Sequence, residues 1–140
     1  MIVLCNYKDL KYKNKLGGIM GISKPVQEMS AENLFGICPY VTTQKLLAGK
    51  WSILVMHHLS EGTKRFNELH REMADLTQTT LTKQLRFLEE EGLVKRTVYP
   101  EVPPRVEYSL TPIGEQFKIV LDSLEVWGNQ YIEYIKVKKA

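Results

Sequence analysis

At 140 residues and 44% apolar, the chain is long enough for one ordinary globular domain with a real core, and no apolar run approaches the roughly 18 residues of a membrane span. Two cysteines, Cys5 and Cys38, are too few for a disulfide framework. With no apolar signal segment at the N-terminus, the expected setting is the cytoplasm and both cysteines are expected as thiols. The formal charge of +3 sits at one end: residues 1–25 carry five Lys and one Asp, and taking these from totals of 19 and 16 leaves 14 Lys and Arg against 15 Asp and Glu in residues 26–140. Bulk basicity of the body therefore says nothing for a nucleic-acid partner, and that case rests on where its cations sit.

Residues 1–25 are Lys-rich, contain Gly17-Gly18 and Pro25, and show no sustained amphipathic period. They are read as a basic, disordered leader, and no fold is assigned to them. Leu16-Gly17-Gly18-Ile19-Met20 is also what a purine-rich ribosome-binding site encodes when read in frame, so the native start is either Met1 or Met20. Residues 26–140 read as one domain.

A short helix is expected over Ser30 to Phe35. Cys38-Pro39 opens the next, with Pro at the first helical position where its missing N–H costs nothing, and Gly49 ends it. Lys50 to Leu59 is apolar over most of its circumference, which predicts a central, largely buried helix stopped by Gly62. Thr63 then caps a helix carrying Phe66, Leu69 and Met73, and Ala74 to Leu76 form a turn. Thr77 caps a helix with Leu81, Leu85 and Leu88 on one face and Gln78, Thr79, Thr82, Lys83 and Arg86 on the other. Val94–Tyr99 and Val106–Leu110 alternate in polarity as strands of a hairpin, with Arg105 at its tip behind Pro103 and Pro104. Thr111-Pro112 starts a last helix with an apolar stripe of Ile113, Phe117, Val120, Leu124, Trp127 and Tyr131, wide enough to pack on a partner as well as on its own domain.

Helix, turn, helix and basic hairpin in that order predict a mainly α winged helix-turn-helix with a small β-hairpin wing and dimerisation helices at both ends. A helix of this kind fits the major groove of DNA, about 12 Å wide, while the hairpin reaches the neighbouring backbone or minor groove. The expected DNA contacts are Lys64 and Arg65 at the start of the first helix of the motif, Gln78, Thr79, Thr80, Thr82, Lys83 and Arg86 on the second, and Lys95, Arg96 and Arg105 on the wing. Thr79 and Thr80 offer hydroxyls and methyls suited to base edges and thymine methyls.

These residues resemble the HxlR-type regulators, a branch of winged-helix transcription factors similar to the MarR family. The resemblance runs from Cys38 to Trp127 and is carried by Cys38-Pro39, Gly49-Lys50-Trp51, the run Arg65 to Leu69, the Leu81, Leu85 and Leu88 helix, Gly92-Leu93-Val94, and the wing from Tyr99 to Tyr108 with Leu110-Thr111. It implies a homodimer on a pseudo-palindromic operator of double-stranded DNA; a repressor is expected ahead of an activator, because local winged-helix regulators usually occlude promoters. The resemblance also implies a sensing role for Cys38 toward a small electrophile or oxidant. A thiol at a helix N-terminus suits that role, because the positive end of the helix favours thiolate. Thr79-Thr80 and Phe87 depart from the family's usual residues, so the base sequence read here is this chain's own.

Two other readings stand beside this one: the same fold controlled by a small-molecule ligand in the dimer crevice, and a winged-helix protein-interaction module, which has no need of outward cations on its wing. An enzyme is not expected, since the sequence offers no Gly-rich phosphate loop and no set of His, carboxylate and nucleophile. No cofactor is expected, and no metal: His57, His58 and His70 have no ligand partners at recognisable spacing. Glu89-Glu90-Glu91 reads as a solvated helix end.

Overall fold

The computed structural model describes residues 34–140. They belong to two compact units, one ending at Ala48 and the other running from Gly49 to Ala140. The boundary expected at residue 25, the alternative start at Met20 and most of the helix expected over Ser30 to Phe35 lie outside the described residues. Among the described residues no helix is long and apolar enough to cross a membrane.

In the first unit the described chain begins with a tight turn at Leu34, whose carbonyl accepts from the amides of Ile37 and Cys38 at 3.0 and 2.9 Å. Helix α1 (Pro39–Leu46) follows, with Cys38 at its N-cap in extended backbone and Pro39 in its first turn, as the dipeptide predicts. The Cys38 carbonyl accepts from both the amide and the hydroxyl of Thr42, at 2.9 and 2.7 Å. Cys38 is buried and disulfide-bonded, which corrects the expectation of a thiol. The chain's other cysteine, Cys5, lies outside the described residues.

The second unit holds α2 (Ser52–Ser60), β1 (Lys64–Arg65), α3 (Phe66–Glu72), α4 (Gln78–Glu90), β2 (Val94–Tyr99), β3 (Arg105–Leu110), α5 (Pro112–Gln116) and α6 (Lys118–Lys139). Its core is built from Val55, Met56 and Leu59 of α2, Leu69 and Met73 around the end of α3, Leu81, Leu85 and Leu88 of α4, and Val94, Tyr108 and Leu110 of the sheet. Helix α2 is less enclosed than its composition predicts, because Ile53 and Leu54 remain exposed and only one side packs. The sheet is antiparallel in the order β1-β3-β2, with Lys64 opposite Tyr108, Val94 opposite Leu110 and Tyr99 opposite Arg105.

Strand β1 is a departure from the sequence reading and moves a helix cap. Lys64 and Arg65 pair with β3, so α3 starts after Arg65 rather than after Thr63, and the Glu68 carboxylate accepts the Arg65 amide at 2.7 Å in place of the Thr63 cap. At the far end of α4, Gly92 adopts φ +75°, and the amides of Gly92 and Leu93 return to the carbonyls of Glu89 and Leu88 at 3.0 and 2.9 Å. This is the left-handed stop that glycine favours, and it turns the chain directly into the wing. The last helix, expected as one, is broken at Phe117, whose amide bonds Gly114 three residues back. Gly114 is fixed there by packing: a Cβ would collide with the Leu93 carbonyl oxygen.

Candidate nucleic-acid interface

Helices α3 and α4 and the turn between them form a helix-turn-helix. The Thr77 hydroxyl caps α4 by accepting the Thr80 amide at 3.2 Å. The turn is tied from the other side, where the His70 Nε2–H donates to the Leu76 carbonyl at 2.9 Å and the Phe66 ring stacks on the imidazole. His70 is therefore a structural residue of the turn.

Thr79, Lys83 and Arg86 recur at i, i+4 and i+7 along α4 and are all exposed, on the side of the helix away from buried Leu81, Leu85 and Leu88. Gln78 is exposed beside them, while Thr82 is half-buried. The Thr80 hydroxyl already lies 2.9 Å from that of Thr77, so it belongs to the helix start as much as to the outer face. Arg65 is exposed at the N-cap of α3.

Lys64 and Arg105 are placed differently from what sequence reasoning expects. The Lys64 ammonium lies 2.9 Å from Glu61 and 2.7 Å from both oxygens of Glu72, with only 13% of its side chain exposed. Hydrogen bonds donated to Glu72 and then to Glu61 hold the Lys64 amine above its usual range, and the one from Lys64 holds the Glu61 carboxyl below its own. His58 joins this cluster, with Nδ1 3.0 Å from Glu72. His58, Glu61 and Glu72 are the grouping of metal-ligating atoms among the described residues, and an internal cation already sits between the two carboxylates.

Arg105 is not at the tip of the wing. It is the first residue of β3, opposite Tyr99, and its guanidinium lies 4.1 Å from the centre of that ring. Glu101 and Glu107 approach it at 3.2 and 3.4 Å, leaving 28% of the side chain exposed. The tip is the loop from Pro100 to Pro104, where Val102 is fully exposed. Arg65 and Arg105 nevertheless line a common cleft of about 430 Å³ between α3 and this loop, together with Asn67 and Glu101.

Lys95 and Arg96 are both exposed, but successive strand residues face opposite sides. Lys95 shares its side with Tyr99, and Arg96 shares its side with buried Val94, so the two do not form one patch.

Two polar core residues, Ser52 and Gln84, were missing from the expected set: the Gln84 side-chain amide donates to the Ser52 hydroxyl at 2.8 Å in the interior. The signal for Gln84 lay in its spacing, since positions 81, 84, 85 and 88 form one helical stripe.

Along α6, Leu121 is buried, and from Asp122 to the C-terminus no residue is. Trp127 is 62% exposed and stacks on Tyr131 at 5.2 Å, which in turn lies 5.8 Å from Tyr134. Of the expected dimerisation residues, Ile113, Leu124, Trp127 and Tyr131 are exposed, and Phe117 and Val120 are half-buried. Ile132, Tyr134 and Val137 extend the exposed apolar surface.

With this geometry in place, the profile of the HxlR-like helix-turn-helix family matches residues 46–136. The chain belongs to the HxlR-like helix-turn-helix family. It is 44% identical over 98 residues, 70% of this chain and 77% of the relative, to the HTH-type transcriptional regulator YdeP of Bacillus subtilis. A MarR-family regulator structure from Porphyromonas gingivalis is similar at 39% identity and a TM-score of 0.63, over 66% of this chain and 90% of that one. The redox regulator HypR in its reduced form is similar at 39% identity and a TM-score of 0.68, over 71% of this chain and 99% of that one. This HxlR-like chain is a helix-turn-helix transcriptional regulator with a winged fold.

Proposed function

We propose that this regulator is a sequence-specific repressor that binds a pseudo-palindromic operator as a homodimer, with α4 in the major groove and the wing on the neighbouring backbone. The observation that carries this reading is the exposed Thr79, Lys83 and Arg86 row on a helix whose other side is anchored in the core. Arg65 and Lys95 add cations suited to phosphate. Lys64 is left out of the contact set because two carboxylates hold it, and Arg105 contacts DNA only by leaving Glu101 and Glu107.

The homodimer rests on α6, where an aromatic row lies open to solvent along a helix of 22 residues. Burying such rings against a second copy is the simplest way to remove them from water. Selection from a random duplex library tests the whole reading: a single enriched, two-fold-related sequence bound by two protomers is the expected result. Equal binding to selected and scrambled duplexes refutes it.

The signal we propose is oxidation at Cys38, supported by likeness to the redox regulator HypR and by the disulfide-bonded state of Cys38. The chemistry is two thiols giving one disulfide, their two electrons reducing hypochlorite to chloride, with water released. Hypochlorite added to the reduced protein should change operator affinity in the wild type and leave Cys38→Ser unaffected. Equal responses, or none, refute thiol control and favour a ligand in the dimer crevice.

A further inference from the structure

We infer that the buried Gln84–Ser52 hydrogen bond is a positioning device that sets the rotation of α4, and through it the sequence selectivity of the regulator. The inference rests on the DNA-binding reading above and adds residues that touch no DNA.

Ser52 is 0% exposed and Gln84 9%, and they lie 2.8 Å apart, on the same two helices that bury Val55, Met56, Leu81, Leu85 and Leu88. For stability alone, an apolar pair of the same shape serves as well, because burying two polar groups costs much of what their bond returns. A hydrogen bond adds direction. Apolar stripes slide and rotate against each other at little cost, whereas Gln84 meets Ser52 in only one setting of α4 against α2.

Gly49 belongs to the same device, since a Cβ there would collide with the Gln84 amide oxygen and come within 2.7 Å of the Ser52 hydroxyl. This gives the glycine of Gly49-Lys50-Trp51 a packing role beyond ending a helix. Gln84 follows Lys83 and stands two residues before Arg86, so any rotation it prevents is one those side chains would share. A rotation of about 20° on a helix of radius about 5 Å moves the outer atoms by nearly 2 Å. That exceeds the spread of hydrogen-bond lengths on which base readout depends.

The test compares wild type with Ser52→Ala/Gln84→Met, which replaces the pair by apolar groups of similar shape. Each is titrated against the duplex selected by the wild type and against a scrambled duplex of the same composition. The expected result is a fall of at least fivefold in the affinity ratio, with thermal stability and salt dependence of the scrambled duplex unchanged. A ratio within twofold of wild type overturns the inference, whatever happens to stability. Should the double variant fail to fold, Ser52→Ala alone removes one oxygen and carries the same comparison. If the wild type itself enriches no sequence, the DNA-binding reading has failed. If it enriches one and the variant discriminates equally, only the positioning role falls.

Discussion

Lys83→Ala and Lys64→Ala both remove one positive charge from the helix-turn-helix, yet the structure predicts a flatter salt dependence of DNA binding for the first and an unchanged one for the second. Lys83 is exposed on α4, whereas Lys64 is already engaged by Glu61 and Glu72. Each phosphate contact contributes about 0.9 to the slope of log affinity against log salt. A homodimer loses two contacts per variant, so Lys83→Ala should flatten the slope by about 1.8. Over a fourfold rise in salt each contact is worth about 3.5-fold, and the pair about 12-fold. Lys64→Ala should leave the slope as it is, because it frees two carboxylates and no phosphate. Fluorescence anisotropy titrations of the selected duplex at four salt concentrations measure both. An unchanged slope in Lys83→Ala, or an equal flattening in Lys64→Ala, would refute the assignment of free and engaged cations.

Gly114→Ala gains about 1 kcal/mol of helix propensity but drives a Cβ onto the Leu93 backbone carbonyl, an overpacking that costs about 1–3 kcal/mol. The melting temperature should fall by several degrees, and a rise would show that the α5–wing contact yields easily. Trp127→Glu removes apolar burial worth about 2–3 kcal/mol at the proposed dimer face, so sedimentation at micromolar protein should find a folded monomer; a persistent dimer places the interface elsewhere. The Lys64 cluster predicts two slopes in stability against pH. Glu61, held low by Lys64, contributes above its unfolded value and loses that contribution as pH falls through its depressed folded value. Lys64, held high by Glu72 and Glu61, contributes below its unfolded value and loses it only as pH rises through its raised folded value. Thermal melts of Lys64→Met across the carboxylate range should show a shallower acid decline than wild type, and parallel curves would argue against the cluster.

What could be read from the sequence was what neighbours in the chain determine. The Thr77 and Thr111 caps, the Gly92 stop and the stripe of Leu81, Leu85 and Leu88 depend on residues within a turn or two, and each stands where the spacing puts it. The remainder depends on pairings across the fold. Strand β1 exists because β3 offers Lys64 and Arg65 a partner, and nothing within two residues announces that. Arg105 looked like an outward probe because proline precedes it, whereas its position is set by Tyr99 across the hairpin and by acids at 101 and 107. Lys64 looked like a free cation until Glu72, on the far end of α3, came within reach. Gly114 lies against the Leu93 carbonyl at the wing root just before the tight turn at Phe117, a contact that helical periodicity cannot show.

That root joins three segments in a few ångströms. The Thr111 hydroxyl donates to the Gly92 carbonyl at 2.6 Å, its amide donates to the Leu93 carbonyl at 3.1 Å, and Gly114 abuts the same carbonyl. The hairpin is thus anchored at its base, and its far end is the proline-rich loop from Pro100 to Pro104, beyond the last paired residues Tyr99 and Arg105. Such a lever tolerates change unevenly. Residues added between Pro100 and Pro104 lengthen the reach of the hairpin without altering its strand pairing, while one residue added within β2 or β3 would slip the register and turn the side chains beyond it to the opposite face. The hairpin can therefore grow at its far end, while its foot is fixed by the Thr111 hydrogen bonds and the packing of Gly114.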